Sequence, residues 1–272
     1  MTNLDSNRSA QESHTVTHWV RFRHDDSISF GTLADGEILQ YSGDMFHGAT
    51  PTSLRFALSD VELLAPATPS KIIGLWNNFH ALAAKLNSPE PAEPLYFLKA
   101  PSSVAAPGAA VHRPASYDGK VVYEGELGIV IGKACTAISV EAADAHIFGY
   151  TCVNDITAAD ILNRDPTFAQ WARAKGFDGF GPFGPSIVTD IDPAALSIKT
   201  ILNGAERQNY PVADMIFSPQ QLVAKISHDM TLLPGDLICC GTSVGVGVMK
   251  EPVNTVTIAI DGIGELHNEF HR

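Results

Sequence analysis

The sequence predicts a mainly β chain of the α+β class, in which strands outnumber helices from end to end. Three observations predict it. Apolar and polar residues alternate around two Asp-Gly dipeptides, Asp35-Gly36 and Asp261-Gly262, the pair that favours a type I′ hairpin turn. The run VVYEGELGIVI, residues 121–131, is dense in β-branched and apolar side chains. Helical spacing is confined to short segments such as NNFHALAAKL, where Phe79, Leu82, Ala83 and Leu86 recur.

In chain order, residues 1–16 are polar and aperiodic and read as a disordered lead-in. Residues 17–68 read as a small N-terminal β domain, in which HWVRF alternates and ISFGTL and EILQYS form the first hairpin. The proline-bearing stretch ELLAPATPSK links it to a larger unit, residues 69–272. That unit begins with KIIGL as a buried strand and the short helix of NNFHALAAKL. Residues 121–131 follow as one continuous strand, HIFGYTCVND as another, ITAADILNR as a short helix and GFDGFGPFGP as an irregular glycine-rich loop. The last third supplies a helix near PQQLVAKIS, a strand at DLICC, the turn GTSVGVG and the closing hairpin.

With 272 residues, 45% of them hydrophobic, the chain is long enough to bury a sizeable core. Its net charge of -12 repels phosphate backbones and anionic membranes, which argues against nucleic acid or a membrane surface as partner. An anionic substrate then needs a local positive centre, either a basic cluster or a metal. The N-terminus lacks the apolar core of a signal peptide, and no run approaches the roughly 20 apolar residues of a membrane span, so a soluble cytoplasmic protein is expected. Cys135, Cys152, Cys239 and Cys240 show neither C-x-x-C spacing nor disulfide-scaffold density and read as reduced, buried thiols.

Side chains on a strand alternate faces, so Glu124 and Glu126 project from one face about 7 Å apart, flanked there by Val122 and Val130. Desolvating one carboxylate beside another demands protonation, a basic side chain or a metal. Asp155, at the end of HIFGYTCVND, supplies a third acid. Three hard oxygen donors without His or Cys favour Mg²⁺, Mn²⁺ or Ca²⁺ and leave coordination positions open to substrate. Spacing alone equally permits the two glutamates to be the solvent face of an edge strand. The glycines of GTSVGVG lack the G-K-[ST] ending of a phosphate loop. Loop hydrogen bonding is expected of Asp178 and strand burial of Cys239 and Cys240.

Taken together and in order, GLWNNFH, LYFLKAPSS, YEGELGIVIGK, GYTCVNDITAAD, AKGFDGFGPFGP and LLPGDLICCGTSVGVG resemble the successive motifs of the fumarylacetoacetate hydrolase family, from about Lys71 to Phe270. The resemblance implies a mixed β-roll or β-sandwich catalytic domain behind a small N-terminal β domain, in a homodimer. It implies that Glu124, Glu126 and Asp155 hold Mg²⁺ or Mn²⁺, to which a small anionic 2-oxo acid chelates. It implies that Lys175 contacts a substrate oxygen or the developing enolate, that Lys99, the basic residue of the LYFLK segment, binds substrate, and that the Gly241-Thr242 backbone grips the substrate carboxylate. His80, six residues after Gly74, matches the histidine that activates water or shuttles a proton.

Departures from the pattern weigh on the reaction. Many relatives carry a glutamate three residues beyond the histidine; here it is Ala83, so a partner for His80 must come from elsewhere, with Glu90, Glu93 and Glu251 as candidates. Ala159 and Leu162 stand where relatives carry arginine and glutamine, leaving Arg164 as the nearest basic substitute for substrate binding. The leading expectation is a hydrolase that cleaves a C–C bond of an acylpyruvate-type acid, such as a fumarylpyruvate from aromatic catabolism, through an enolate held at Mg²⁺. The alternative is a decarboxylase or an isomerase or tautomerase of an unsaturated or dicarboxylic 2-oxo acid, favoured by Ala83. A non-catalytic protein that binds Ca²⁺ and a dicarboxylate is the remaining class.

Overall fold

The computed structural model describes residues 16–272; the expected lead-in lies, but for Val16, outside the described residues. The chain is mostly strand. It opens with β1 (Thr17–His24), β2 (Ser27–Ala34), β3 (Glu37–Asp44), β4 (His47–Ala57) and β5 (Glu62–Leu64). Then come β6 (Ile72–Trp76), α1 (His80–Leu86), β7 (Leu95–Lys99), β8 (Val104–Ala105), β9 (Ala110–His112), β10 (Val121–Tyr123) and β11 (Gly125–Ile131). The middle holds β12 (Ile147–Asn154), β13 (Thr157–Ala158), α2 (Ala159–Leu162), α3 (Trp171–Lys175), β14 (Gly181–Thr189), β15 (Ser197–Leu202) and β16 (Ala205–Pro211). The last elements are α4 (Pro219–Asp229), β17 (Leu237–Cys239), β18 (Gly247–Val248), β19 (Val253–Ile260) and β20 (Gly264–His271).

One large sheet runs in the order β4-β3-β2-β1-β14-β12-β11-β17-β6-β7, with β5 on β1 and β8 on β14. It is mixed: β17 and β6 pair in parallel, whereas β11 pairs antiparallel with both β12 and β17. A second sheet, β16-β15-β19-β20-β9, packs against it, β15 on β11 and β20 on β14. Leu127 and Ile129 of the first sheet and Ile198, Ile258 and Leu266 of the second meet in the main core. The strict alternation of burial along β15 and β19 records one covered face, while β11 is buried throughout because both its faces are covered. A small third sheet runs in the order β13-β10-β18.

Several sequence expectations change at this level. Residues 121–131 are two strands in different sheets, broken at Glu124, because β10 pairs with β13 and β18 while β11 enters the large sheet. Neither glutamate is on an edge: Glu126 lies in β11, interior to the large sheet, and Glu124, largely buried, follows β10, the middle strand of the small one, which excludes the solvent-face reading. The glycine-rich loop is irregular only to Phe180, since PFGPSIVT belongs to β14, a strand defined by its pairing with β12 and β1. In ITAADILNR only Ala159–Leu162 is helical, the residues before it being taken into β13. The first hairpin turns as expected, with positive φ at Asp35 (50°) and Gly36 (77°). The last one takes a three-residue loop, pairing Ile260 with Gly264. The N-terminal strands β1 to β5 continue the large sheet through the pairing of β1 with β14.

All four cysteines are buried and free, and burial pushes the Cys152 thiol from 9.0 up to about 12. A thiol reagent at pH 8 should therefore label none of them in the native protein and all four in denaturant. Because the folded state holds the Cys152 thiol proton more tightly, this contribution to stability is fully present below pH 9.0 and declines as pH rises toward 12. Melting curves between pH 8 and 11 check it.

Candidate metal and substrate site

The break at Glu124 builds the site. Because the strand changes sheet there, Glu124 leaves the β11 ladder, its backbone N–H donating to Asn154 Oδ1 (3.1 Å), while Glu126 stays two residues along inside the sheet. Asp155 follows β12, the antiparallel neighbour of β11, and its N–H donates to the Glu124 carbonyl (2.8 Å). Pairing thus brings the three acids together: one carboxylate oxygen from each of Glu124, Glu126 and Asp155 lies within 4.8 Å of the others.

Two lysines share this space. Lys175, the last residue of α3, donates to Glu124 Oε2 (2.7 Å) and Asp155 Oδ2 (2.6 Å). Lys99, the last residue of β7, donates to Asp155 Oδ1 (2.5 Å) and to the Phe180 carbonyl (3.1 Å). Thr157 donates to Glu124 Oε1 (2.9 Å), and the Gly241 N–H to Glu126 Oε2 (2.9 Å). Gly241 has φ of +89°, which aims that N–H inward at little steric cost to glycine.

Burial raises the Glu126 carboxyl well above its ordinary range, and the charge of Asp155 adds to this. Burial likewise raises Glu124, with Lys175 opposing. At Asp155 burial is outweighed by Lys175 and Lys99, which hold its carboxyl below the usual value. Lys175 is a mirror case: burial disfavours its charge, but Asp155, Glu124 and Glu126 keep it an ammonium. The donor set fits a hard cation. Three carboxylates face two ammonium groups, one negative charge in excess, and Glu126 Oε1 is buried with no hydrogen-bond partner. All three donors are oxygens, which suits Mg²⁺ or Mn²⁺ and is compatible with Ca²⁺.

The remaining expected site residues divide. Thr242 lies beside the carboxylates, its hydroxyl donating to the Gly125 carbonyl (3.1 Å). Lys99 is fully buried, and its ammonium is paired with the Asp155 carboxylate. Arg164 is exposed and hydrogen-bonds none of the three acids through its side chain; its charge acts on Tyr117. His80 is half-exposed at the start of α1, and its Nδ1 lies 2.6 Å from Glu90 Oε1. Of the three candidate partners, Glu90 pairs with it, because Asn77 Nδ2 holds the Pro89 carbonyl (3.2 Å) and returns the chain to the helix start. Glu93 and Glu251 line other cavities.

Two residues escaped the sequence reading. Gln208 is buried and accepts from the Gly125 N–H (3.0 Å) and Thr200 Oγ1 (2.8 Å) while donating to Thr242 Oγ1 (2.8 Å), which ties the glutamate strand to the 241–244 loop. Asn78 donates to the Cys240 carbonyl (2.9 Å) and accepts from the Phe217 N–H (2.9 Å), fixing that loop against the approach to α1. Only its position two residues before His80 signalled Asn78, and nothing in the local pattern signalled Gln208.

Residues 71–271 match the model of the fumarylacetoacetate hydrolase C-terminal domain, and residues 17–66 match that of an Rv2993c-like N-terminal region. The chain belongs to the fumarylacetoacetate hydrolase family. The oxaloacetate tautomerase YisK of Bacillus subtilis is 39% identical over 231 residues, 80% of this chain and 76% of that one. The crystal structure of a 2-hydroxyhepta-2,4-diene-1,7-dioate isomerase from Mycobacterium marinum superposes with a TM-score of 0.86 at 38% identity, covering 94% of this chain and 98% of its own. A maleylpyruvate hydrolase from Sphingobium sp. SYK-6, solved with manganese(II) and pyruvate, superposes at 0.75 with 27% identity, covering 93% and 98%. Members of this fumarylacetoacetate hydrolase family are thus enzymes with both isomerising and hydrolytic activities. No described helix of this member is long and apolar enough to cross a membrane.

Proposed function

We propose that this chain is a divalent-metal-dependent enzyme that moves a proton along the skeleton of a small anionic 2-oxo acid, as a tautomerase or isomerase. The observation that carries it is the convergence of Glu124, Glu126 and Asp155 on one point, with an orphaned Glu126 oxygen, beside the ammonium of Lys175. A cation held there supplies a Lewis acid that polarises the 2-oxo carbonyl. Lys175 stays protonated and steadies negative charge as it develops on the substrate oxygen. Glu90 engages Nδ1 of His80, which orients the ring and leaves Nε2 to take the C3 proton of the keto form and return one to the oxygen side. No bond between heavy atoms breaks in that exchange. The Gly241 N–H and the Gln208 bridge keep Glu126 and the 241–244 loop in place.

Half-exposure of His80 favours proton exchange over hydrolysis. A proton shuttle tolerates bulk water, whereas cleavage needs one water held and the others kept out. The relatives of 38–39% identity that carry isomerising names point the same way. Hydrolysis of an acylpyruvate is the second reading, favoured by the His80–Glu90 pair itself, which is built as a water-activating dyad would be.

The test uses oxaloacetate and an acylpyruvate with Mg²⁺ or Mn²⁺, following the ultraviolet enol band, deuterium entry at C3 and released carboxylic acid. Accelerated loss of the enol band with deuterium entry and no acid is expected. Chelation should abolish the rate and added metal restore it, and His80→Asn should lower it about 100-fold. Stoichiometric acid would establish hydrolysis instead, and turnover indifferent to chelator would end both readings.

A further inference from the structure

We infer that a second cavity, separate from the metal site, takes a small phosphate-type oxyanion, either the free ion or the phosphate group of a small monoester. Arg113, Lys120, Lys250 and Arg272 line this cavity, and none of Glu124, Glu126, Asp155, Lys175 or His80 does. Its volume is about 190 Å³, below the roughly 300 Å³ at which pockets for drug-sized ligands begin, so the ligand is small. The chain has 18 lysines and arginines and a net charge of -12, so four cations gathered on one small cavity run against the overall field. Among the described residues none of the four forms an ion pair. Two acids, Asp118 and Asp160, also stand on the cavity, which leaves two positive side chains in excess. Asp160 Oδ2 accepts the Lys120 N–H (2.9 Å), and Gly119 makes room for it, since a Cβ there would come within 2.5 Å of that oxygen.

The backbone holds the cations in place. The Arg113 N–H donates to the His271 carbonyl (2.8 Å) and the Arg272 N–H to the Pro252 carbonyl (2.9 Å), so segments distant in sequence meet at one rim. Each guanidinium gives one hydrogen bond to a carbonyl, Arg113 to Asp118 (3.3 Å) and Arg272 to Lys250 (2.6 Å). The remaining N–H groups of each planar fork are left to grip an oxyanion. The floor is apolar: Val121, Met249 and Phe270 are at most 2% exposed, and the Met249 N–H donates to the Val121 carbonyl (3.0 Å). Attraction above such a floor is less screened than on an open surface. A phosphate group, with a charge of roughly -2 and three acceptor oxygens, matches the two excess charges better than a single carboxylate does.

Calorimetry of the Mg²⁺-loaded protein with inorganic phosphate and with glycerol 3-phosphate, at an ionic strength held constant with chloride, tests this. Saturable binding at one site is expected, and the tighter of the two probes tells free ion from monoester. Lys120→Gln combined with Lys250→Gln, and separately Arg272→Gln, replace exposed side chains and should each weaken binding about ten-fold or more. Lys199→Gln, the same change of charge away from the cavity, should leave the affinity within about two-fold. So should Glu126→Gln, because the phosphate does not sit on the metal. Absence of saturable binding, an affinity that the lysine pair leaves intact, or an equal loss in Lys199→Gln would overturn the inference. Loss of binding in Glu126→Gln would also overturn it, by placing the phosphate on the cation of the metal site.

Discussion

Replacing Asp155 by Asn is expected to destabilise the protein by about 3–5 kcal/mol, the range for removing one partner of a buried ion pair. The reason is the asymmetry of the cluster. Asp155 is the carboxylate that both lysines touch, at 2.5 and 2.6 Å, and none of these three side chains is more than 3% exposed. Without it Lys99 keeps only the Phe180 carbonyl, and Lys175 keeps Glu124. The Asn amide also turns a donor toward one of the ammonium groups. Urea unfolding of Asp155→Asn measures the loss, and adding Lys99→Met should recover part of it by removing the stranded charge. A loss under about 1 kcal/mol, ordinary for an exposed ion pair, would show that these charges are solvated.

Glu126→Gln is expected to behave oppositely, lowering turnover and metal affinity by at least about 100-fold while leaving the melting temperature of the metal-free protein unchanged or raised. Burial already disfavours the charged form of Glu126 without a cation, so a neutral isostere removes a cost and still accepts the Gly241 N–H. The decisive measurement is the shift of melting temperature with Mg²⁺. The parent protein should gain stability as RT ln(1 + [Mg²⁺]/Kd), and the variant should gain almost none. An equal gain in both proteins would place the ion elsewhere, and a collapse of the metal-free variant would make Glu126 structural.

Much of this was legible beforehand, for identifiable reasons. Strand and turn chemistry is local, so the Asp35-Gly36 hairpin, the strand at KIIGL and the helix near PQQLVAKIS were readable from neighbouring residues alone. The three acids and the order of motifs around them were readable too, since they lie within short segments. What failed were properties of long-range pairing. Whether residues 121–131 stay in one sheet depends on β13 and β18, and whether PFGPSIVT is loop or strand depends on β12 and β1.

The sequence by itself determined the strand-rich class, the family and the chemical type of the ligands, because these rest on residue identity and near-neighbour spacing. Only the tertiary structure decided that Lys99 pairs with Asp155, that Glu90 partners His80 in the absence of an acid at Ala83, and that Gln208 binds the glutamate strand to the Thr242 loop. Each of those is a contact within hydrogen-bonding range, made by at least one side chain, between residues 10 to 83 positions apart along the chain, and no local periodicity encodes the position of such a partner.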